Sequence, residues 1–259
     1  MMGRMLRVDL RRAFGPLFWA AAALTLLVQL QGLGEYLGWL TNWIGSESAL
    51  GFLHFSFNTG TFQMFMPSVA GLAYSASYLR DRQSGFLRSQ MVRLGNAPVY
   101  LASKAITVYG AAFLAVSAGI LAFVALLCTR MPFLPTRYPE DVASYACGEL
   151  MLRGRSVSYL LCTVSFRAAA AGGWALFGLL VSTATNSLLT VFVLPTLAAY
   201  ALNIALNRMG LPTLERLERG LMTTGQPLAD FVRIHGPLLL FALLWAALFT
   251  WRAGRQVRA

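Results

Sequence analysis

"YLRDRQSGFLRSQMVRLGNAPVYLASK", residues 78–104, holds Arg80, Arg82, Arg88, Arg93 and the chain's single lysine, Lys104, against one acid, Asp81. Residues 48–79 leading into it include no Asp, Glu, Lys or Arg before Arg80, and residues 105–129 after it include none. An island of positive charge between two long apolar runs reads as a loop joining two membrane crossings, because a hydrocarbon layer about 30 Å thick accepts apolar helix and rejects charge.

The rest of the composition agrees. Of 259 residues, 57% are hydrophobic and 12% charged, about half the charge of a typical soluble domain at roughly 25%. The net charge of +11 raises the question of a nucleic-acid partner. The charges alternate with apolar runs and form no contiguous basic surface, so the reading is membrane and no nucleic acid.

Apolar runs of crossing length lie near 15–33, 59–79, 99–128, 158–182, 187–206 and 235–252. The expected fold is therefore an all-α polytopic membrane protein, one transmembrane domain over 1–259 with six transmembrane helices. The first run follows "MMGRMLRVDLRRAFG", which mimics the basic region of a signal peptide. Its apolar part, "PLFWAAAALTLLVQLQG", is long for a signal and no small-x-small cleavage site follows, so it reads as a retained helix.

Orientation follows from the basic residues. Six crossings put the N-terminus, the second loop, the fourth-to-fifth turn and the C-terminus on one face. That face carries Arg4, Arg7, Arg11, Arg12, Arg80, Arg82, Arg88, Arg93, Lys104, Arg252, Arg255 and Arg258 against Asp9 and Asp81. The other face has eight arginines and eight acids. Both termini are thus expected in the cytoplasm, with the chain in the plasma membrane.

Three segments read as amphipathic. Residues 1–13 set Met2, Met5, Leu6, Leu10 and Ala13 on one helical face and arginines, Arg4, Arg7 and Arg11 among them, mostly on the other, the pattern of a helix in an anionic lipid interface. "EYLGWLTNWIGSESALGFLHFSF" is rich in aromatic residues and suits the outer interface. "LPTLERLERGLMTTGQPLADFVRIHG" is a polar outer excursion broken by Pro and Gly.

Within the opening stretch, Phe86, Leu87, Gln90, Met91 and Leu94 recur at helical spacing, with Arg88 and Ser89 turned aside. Gly95-Asn96 suits a helix end and Pro98 the first turn of the next helix. A short transverse helix on the cytoplasmic side results. Two readings stand: it floats among headgroups and its arginines set topology, or its apolar stripe docks into a groove of a cytosolic partner.

The order "PSVAGLAYSASYLRDRQSGFLRSQMVRLGNAPVYLASKAITVYG", residues 67–110, resembles the second-to-third-span region of ABC-2-type transporter permeases. In that family an acidic-basic pair and a Gly follow the second span, and a small or polar residue, an aromatic and a Lys open the third. Asp81, Arg82, Gly85, Tyr100 and Lys104 fall on that pattern; Asp81 stands where many relatives carry Glu. The resemblance extends to the six-span layout, the N-terminal helix and the outer excursion. It implies that residues Asp81, Arg82, Gly85, Phe86, Leu87, Arg88, Met91 and Leu94 couple the chain to a cytosolic ATP-binding P-loop subunit, in two copies. It implies a second permease subunit, identical or homologous, and export of a peptide, drug or lipid.

The residues point the same way by omission. The acids lie outside the apolar runs, leaving no evident ion-coupling carboxylate within them. No GxxxxGK(S/T) loop is present, so the chain is expected to be no enzyme and to hold no cofactor, with ATP and Mg bound by the partner. An intramembrane enzyme would need HExxH, paired aspartates or a nucleophile beside a histidine, and a non-transporting scaffold or immunity protein is the further rival. Cys128, Cys147 and Cys162 have no metal spacing; a disulfide at Cys147 depends on its compartment.

Away from the ends of the apolar runs, Arg167 is the one charge placed inside the membrane zone. Either its span starts near Ala168 and Arg167 snorkels outward, or it faces an interior pathway. Asn203 and Asn207, one turn apart, are the other candidate pathway residues, with helix-helix hydrogen bonding as the plainer reading. In "AAAAGGWALFG", Ala168/Gly172 and Ala169/Gly173 allow close helix approach, within the chain or between subunits.

Overall fold

The computed structural model describes residues 2–34, 48–59, 61–87, 89–90, 97–134, 144–218, 220 and 223–258. Among them the chain is helical without strands. The helices are α1 (Met2–Ala13), α2 (Pro16–Gly32), α3 (Ala49–Thr59), α4 (Phe62–Tyr74), α5 (Ser77–Gln83), α6 (Ala97–Cys128), α7 (Glu149–Leu152), α8 (Ser156–Val181), α9 (Leu188–Arg208), α10 (Leu214–Glu218) and α11 (Pro227–Arg258). α6, α8, α9 and α11 are long and apolar enough to cross a membrane, and α1 with α2, bent by 52° between them, makes a fifth candidate.

α8 is the central helix. Of its apolar window 83% is buried, against 17% for α9 and for α11, so α9 and α11 turn most of their side chains outward. α8 packs on α6, α11, α4 and α9. The approach depends on missing side chains. A Cβ on Gly172 would lie 2.6 Å from the Tyr109 ring of α6, and one on Gly173 would lie 2.6 Å from Phe241 of α11. α2 meets α6 in the same way at Gly119, where a Cβ would fall 2.6 Å from the Ala22 carbonyl oxygen. Between apolar helices in lipid, where burial from water supplies little, such tight van der Waals contact is the main source of association. The small-residue pair of α8 is used within the chain.

The helix ends follow the expected spans for α2, α6, α8 and α9. Two segments differ. The run 59–79 is not one helix: α4 and α5 break at Ser75–Ala76, and α3 precedes them. α3 buries Leu50, Leu53 and Phe57 fully, so part of the aromatic segment expected at the interface belongs to the core; its residues 35–47 lie outside the described residues. The last helix starts at Pro227, before the expected 235. There Asp230, 1% exposed, accepts from the Cys147 and Thr224 backbone N–H groups at 3.0 and 2.6 Å and from the Thr223 and Thr224 hydroxyls. A carboxylate bound by that many donors is stable when buried, and it lets the helix extend into what reads as polar loop.

Cys128, Cys147 and Cys162 are free thiols, and the Cys147 thiol donates to the Pro227 carbonyl at 3.4 Å.

Candidate functional site

The charged stretch that opens the sequence folds into an end of the molecule where several elements meet. α4 ends at Tyr74, α5 resumes at Ser77, and Gly85 takes a left-handed φ of +72°. That conformation is cheap for Gly alone, and it turns the chain into the helical residues 86–87 and 89–90.

Asp81 lies at the centre and is fully buried. Its carboxylate accepts from Arg12 Nη2 of α1 at 2.6 Å and from the Tyr100 hydroxyl of α6 at 2.6 Å, and pairs with Lys104 Nζ at 2.7 Å. Lys104 also donates to Asp9 of α1 at 2.8 Å. Asp9 in turn accepts from the Ser103 hydroxyl at 3.0 Å and the Tyr74 hydroxyl at 3.3 Å. Two carboxylates thus alternate with Lys104 and Arg12, charges cancel, and three hydroxyls complete the shell. Burial works against the Asp81 charge, but Lys104, Arg12 and Tyr100 outweigh it and hold its carboxyl below the usual carboxylate range.

α1 therefore does more than lie on a surface. It turns Met5, Asp9 and Ala13 toward α6, while Arg7 and Arg11 stay exposed. Arg7 and Arg11 border a shallow apolar groove with Leu6, Leu10 and Phe14. The side chain of Arg4 lies outside the described residues.

Arg82, the next residue of the stretch, faces the other way. Its guanidinium donates to the Thr183 and Thr185 carbonyls at 3.1 and 2.6 Å and to Asn186 Oδ1 at 2.7 Å, all in the α8–α9 turn. Gln256, near the end of α11, donates to the same Thr183 carbonyl at 2.8 Å and accepts from the Tyr78 hydroxyl at 3.3 Å. α1, α5, the α8–α9 turn and the end of α11 consequently share one end of the bundle.

Of the expected coupling residues, Asp81 is inside and Arg82 is bound to the turn, so both position the segment. Gly85 is exposed, and Phe86 and Leu87 are half-buried. Leu87 packs against the core, and Phe86 lies 4.9 Å beneath the Arg12 guanidinium. Arg88, Met91 and Leu94 lie outside the described residues. Asp9 and Arg12 were not among the candidates. Asp9 sits at helical spacing between Met5 and Ala13 on the apolar face of α1, and an acid on that face was the available signal.

Arg167 corrects the outward-snorkelling reading. α8 starts at Ser156, well before Ala168, and Arg167 is 1% exposed with its guanidinium 3.8 Å above the Phe57 ring centroid. A cation over an aromatic face in a dry setting is favourable. Three residues before Phe57, His54 bonds the Tyr159 hydroxyl at 2.6 Å and stacks on Tyr145. Asn203 and Asn207 line a separate cavity of about 380 Å³ with Tyr200, Thr213, Glu215 and Arg216. Arg167 and the two asparagines are not brought together. Among the described residues no group of His, Cys, Asp and Glu is placed to hold a metal ion.

Compared with known proteins, the chain matches no family model, no curated protein and no solved structure.

Proposed function

We propose that the chain is the membrane permease subunit of an ATP-binding-cassette transporter of the ABC-2 type, driven by a separate P-loop ATPase and paired with a second permease subunit. It crosses the plasma membrane six times with both termini in the cytoplasm, holds no nucleotide itself, and exports an amphipathic or hydrophobic substrate.

The observation that carries this reading is the bonded end around Asp81. A permease without an engine needs a rigid surface through which a partner's nucleotide state biases its conformation. A partner shifts that equilibrium only by contacting the two states differently. Here the turn at Gly85–Leu87 stands on α5, and α5 is tied through Asp81 to α1 and α6 and through Arg82 to the α8–α9 turn. A push on the turn is thereby shared among these elements. Asp81, Tyr100 and Lys104, which carry the family resemblance, touch one another.

The sixth crossing is the pair α3–α4. Ala49 at its start bonds Pro132 beyond the far end of α6, and Tyr74 at its end bonds Asp9. At ~1.5 Å per residue α3 and α4 are ~17 and ~20 Å long, so the two laid end to end have the length of a crossing. Arg167 and the Asn203–Asn207 cavity are the candidate contacts along the pathway.

The test is to express the chain with its genomic neighbours, purify it by a tag and identify what accompanies it. The expected result is a soluble ATPase with a P-loop. Activity of the isolated chain without one removes the proposal in favour of a scaffold or an intramembrane enzyme. Replacing Phe86, Leu87 and Met91 together by Ser should abolish transport while ATP hydrolysis and membrane insertion continue; full transport in that variant removes the coupling role.

A further inference from the structure

Where α1 bends into α2, a cavity of about 100 Å³ opens between this elbow and α4–α5. At roughly 30 Å³ per water in the liquid, that is space for one small polar group. Its walls include Arg12, Pro16, Leu17, Leu72, Ser77 and Arg80, with no acid among the lining residues. Ser77 is one of the lining residues and is 4% exposed, and its buried hydroxyl has no hydrogen-bond partner among the described residues. A buried hydroxyl left alone is costly, so it points to a missing acceptor.

The charged residues lining the cavity are both arginines. Arg80 is exposed and forms no ion pair among the described residues. Arg12 directs two of its N–H groups at Asp81, leaving the others of its five. The remaining lining residues are apolar apart from Tyr74, whose hydroxyl bonds Asp9, and Phe14 and Trp19 on either side of the elbow in sequence are 42% and 63% accessible.

We propose that this cavity binds the phosphate of an anionic membrane phospholipid. Ser77 donates to a phosphate oxygen, Arg80 and the free edge of Arg12 neutralise it, and the lipid tails run along Leu17 and Leu72. A free phosphate shares the headgroup chemistry but leaves those apolar walls wet. The assignment to the cytoplasmic leaflet rests on the topology proposed above; the binding itself does not.

The test is native mass spectrometry of the purified full chain, delipidated and titrated with phosphatidylglycerol, with phosphatidylcholine, and with inorganic phosphate alone. One tightly held phosphatidylglycerol per chain is expected, weakened about tenfold by Arg80→Gln and about threefold by Ser77→Ala. Arg252→Gln, an equal loss of charge at the same end, should change it less than about twofold. Equal weakening by Arg252→Gln means diffuse attraction and overturns the site, as does unchanged binding in both cavity variants. Inorganic phosphate that binds as tightly as the lipid overturns the lipid assignment. Because no ATPase enters the measurement, its result is independent of whether the chain is a transporter subunit.

Discussion

Lys104 stands between Asp9 and Asp81, fully buried, and pairs with both, while Arg12 supplies the second positive charge. Removing one member of a buried ion group leaves an uncompensated charge, which typically costs about 3–5 kcal/mol, whereas removing matched charges together costs far less. Lys104→Met should therefore lower the thermal midpoint in detergent sharply, and adding Asp9→Asn should recover much of the loss. A double variant as unstable as the single one means that the two groups are not coupled. The same cluster sets an acid limit. Asp81 titrates below its unfolded value of ~3.9, so the unfolded chain binds the proton first. The stabilisation it gives is fully present above about pH 4 and falls as pH drops through the depressed folded value. Stability measured against pH should decline in that acid window, and the decline should be shallower in Asp81→Asn; an identical slope in both proteins assigns the acid sensitivity to other groups.

At the scale of helices, close approach decides stability, and it can be tested by adding one carbon at two places on α6. A methyl at Gly119 meets Thr25 and the Ala22 carbonyl of α2 within 2.6 Å, whereas one at Gly110 meets nothing within 4 Å. Gly119→Ala should destabilise by about 1–3 kcal/mol through overpacking. Gly110→Ala should be neutral or stabilising by about 0.5–1 kcal/mol, since Gly is a poor helix residue. Thermal midpoints of the two variants compare them directly, and a stable Gly119→Ala protein means that α2 does not sit this close to α6. Hydropathy made these long helices legible, because a run such as 99–128 has one apolar reading. It could not divide 59–79, where Gly60, Ser75 and Ser77 interrupt an equally apolar stretch and only tertiary partners decide where helix stops. Asp81 and Lys104 were legible as a pattern of types. Their contact with Asp9 and Arg12, about seventy and more residues away in the chain, depends on how α1 folds back, which local spacing does not encode.

For the molecule as a whole, the bonds between remote segments constrain the number of crossings. Arg12 near the N-terminus reaches Asp81, and Gln256 near the C-terminus reaches Tyr78 in the same short helix. α1 and the end of α11 consequently lie at one end of the bundle, which fits the even number of crossings in the proposed topology. Length and composition give four or five candidates, and the proposed arrangement counts α3–α4 as the sixth. In the proposed topology this end, which gathers the exposed Arg7, Arg11, Arg80, Arg252 and Arg255, faces the cytoplasm, where positive charge is retained. The arrangement predicts opposite accessibility for two exposed residues, Ser84 beside the bonded end and Arg153 beyond the short α7. In a chain with Cys128, Cys147 and Cys162 replaced by Ala, a membrane-impermeant thiol reagent added to intact cells should label Arg153→Cys and spare Ser84→Cys until the cells are opened. A C-terminal fluorescent fusion should fold and glow in the cytoplasm. Labelling of both sites from outside rules out the six-crossing arrangement, and labelling of Ser84→Cys alone inverts it; either result removes the cytoplasmic contact on which coupling to an ATPase depends.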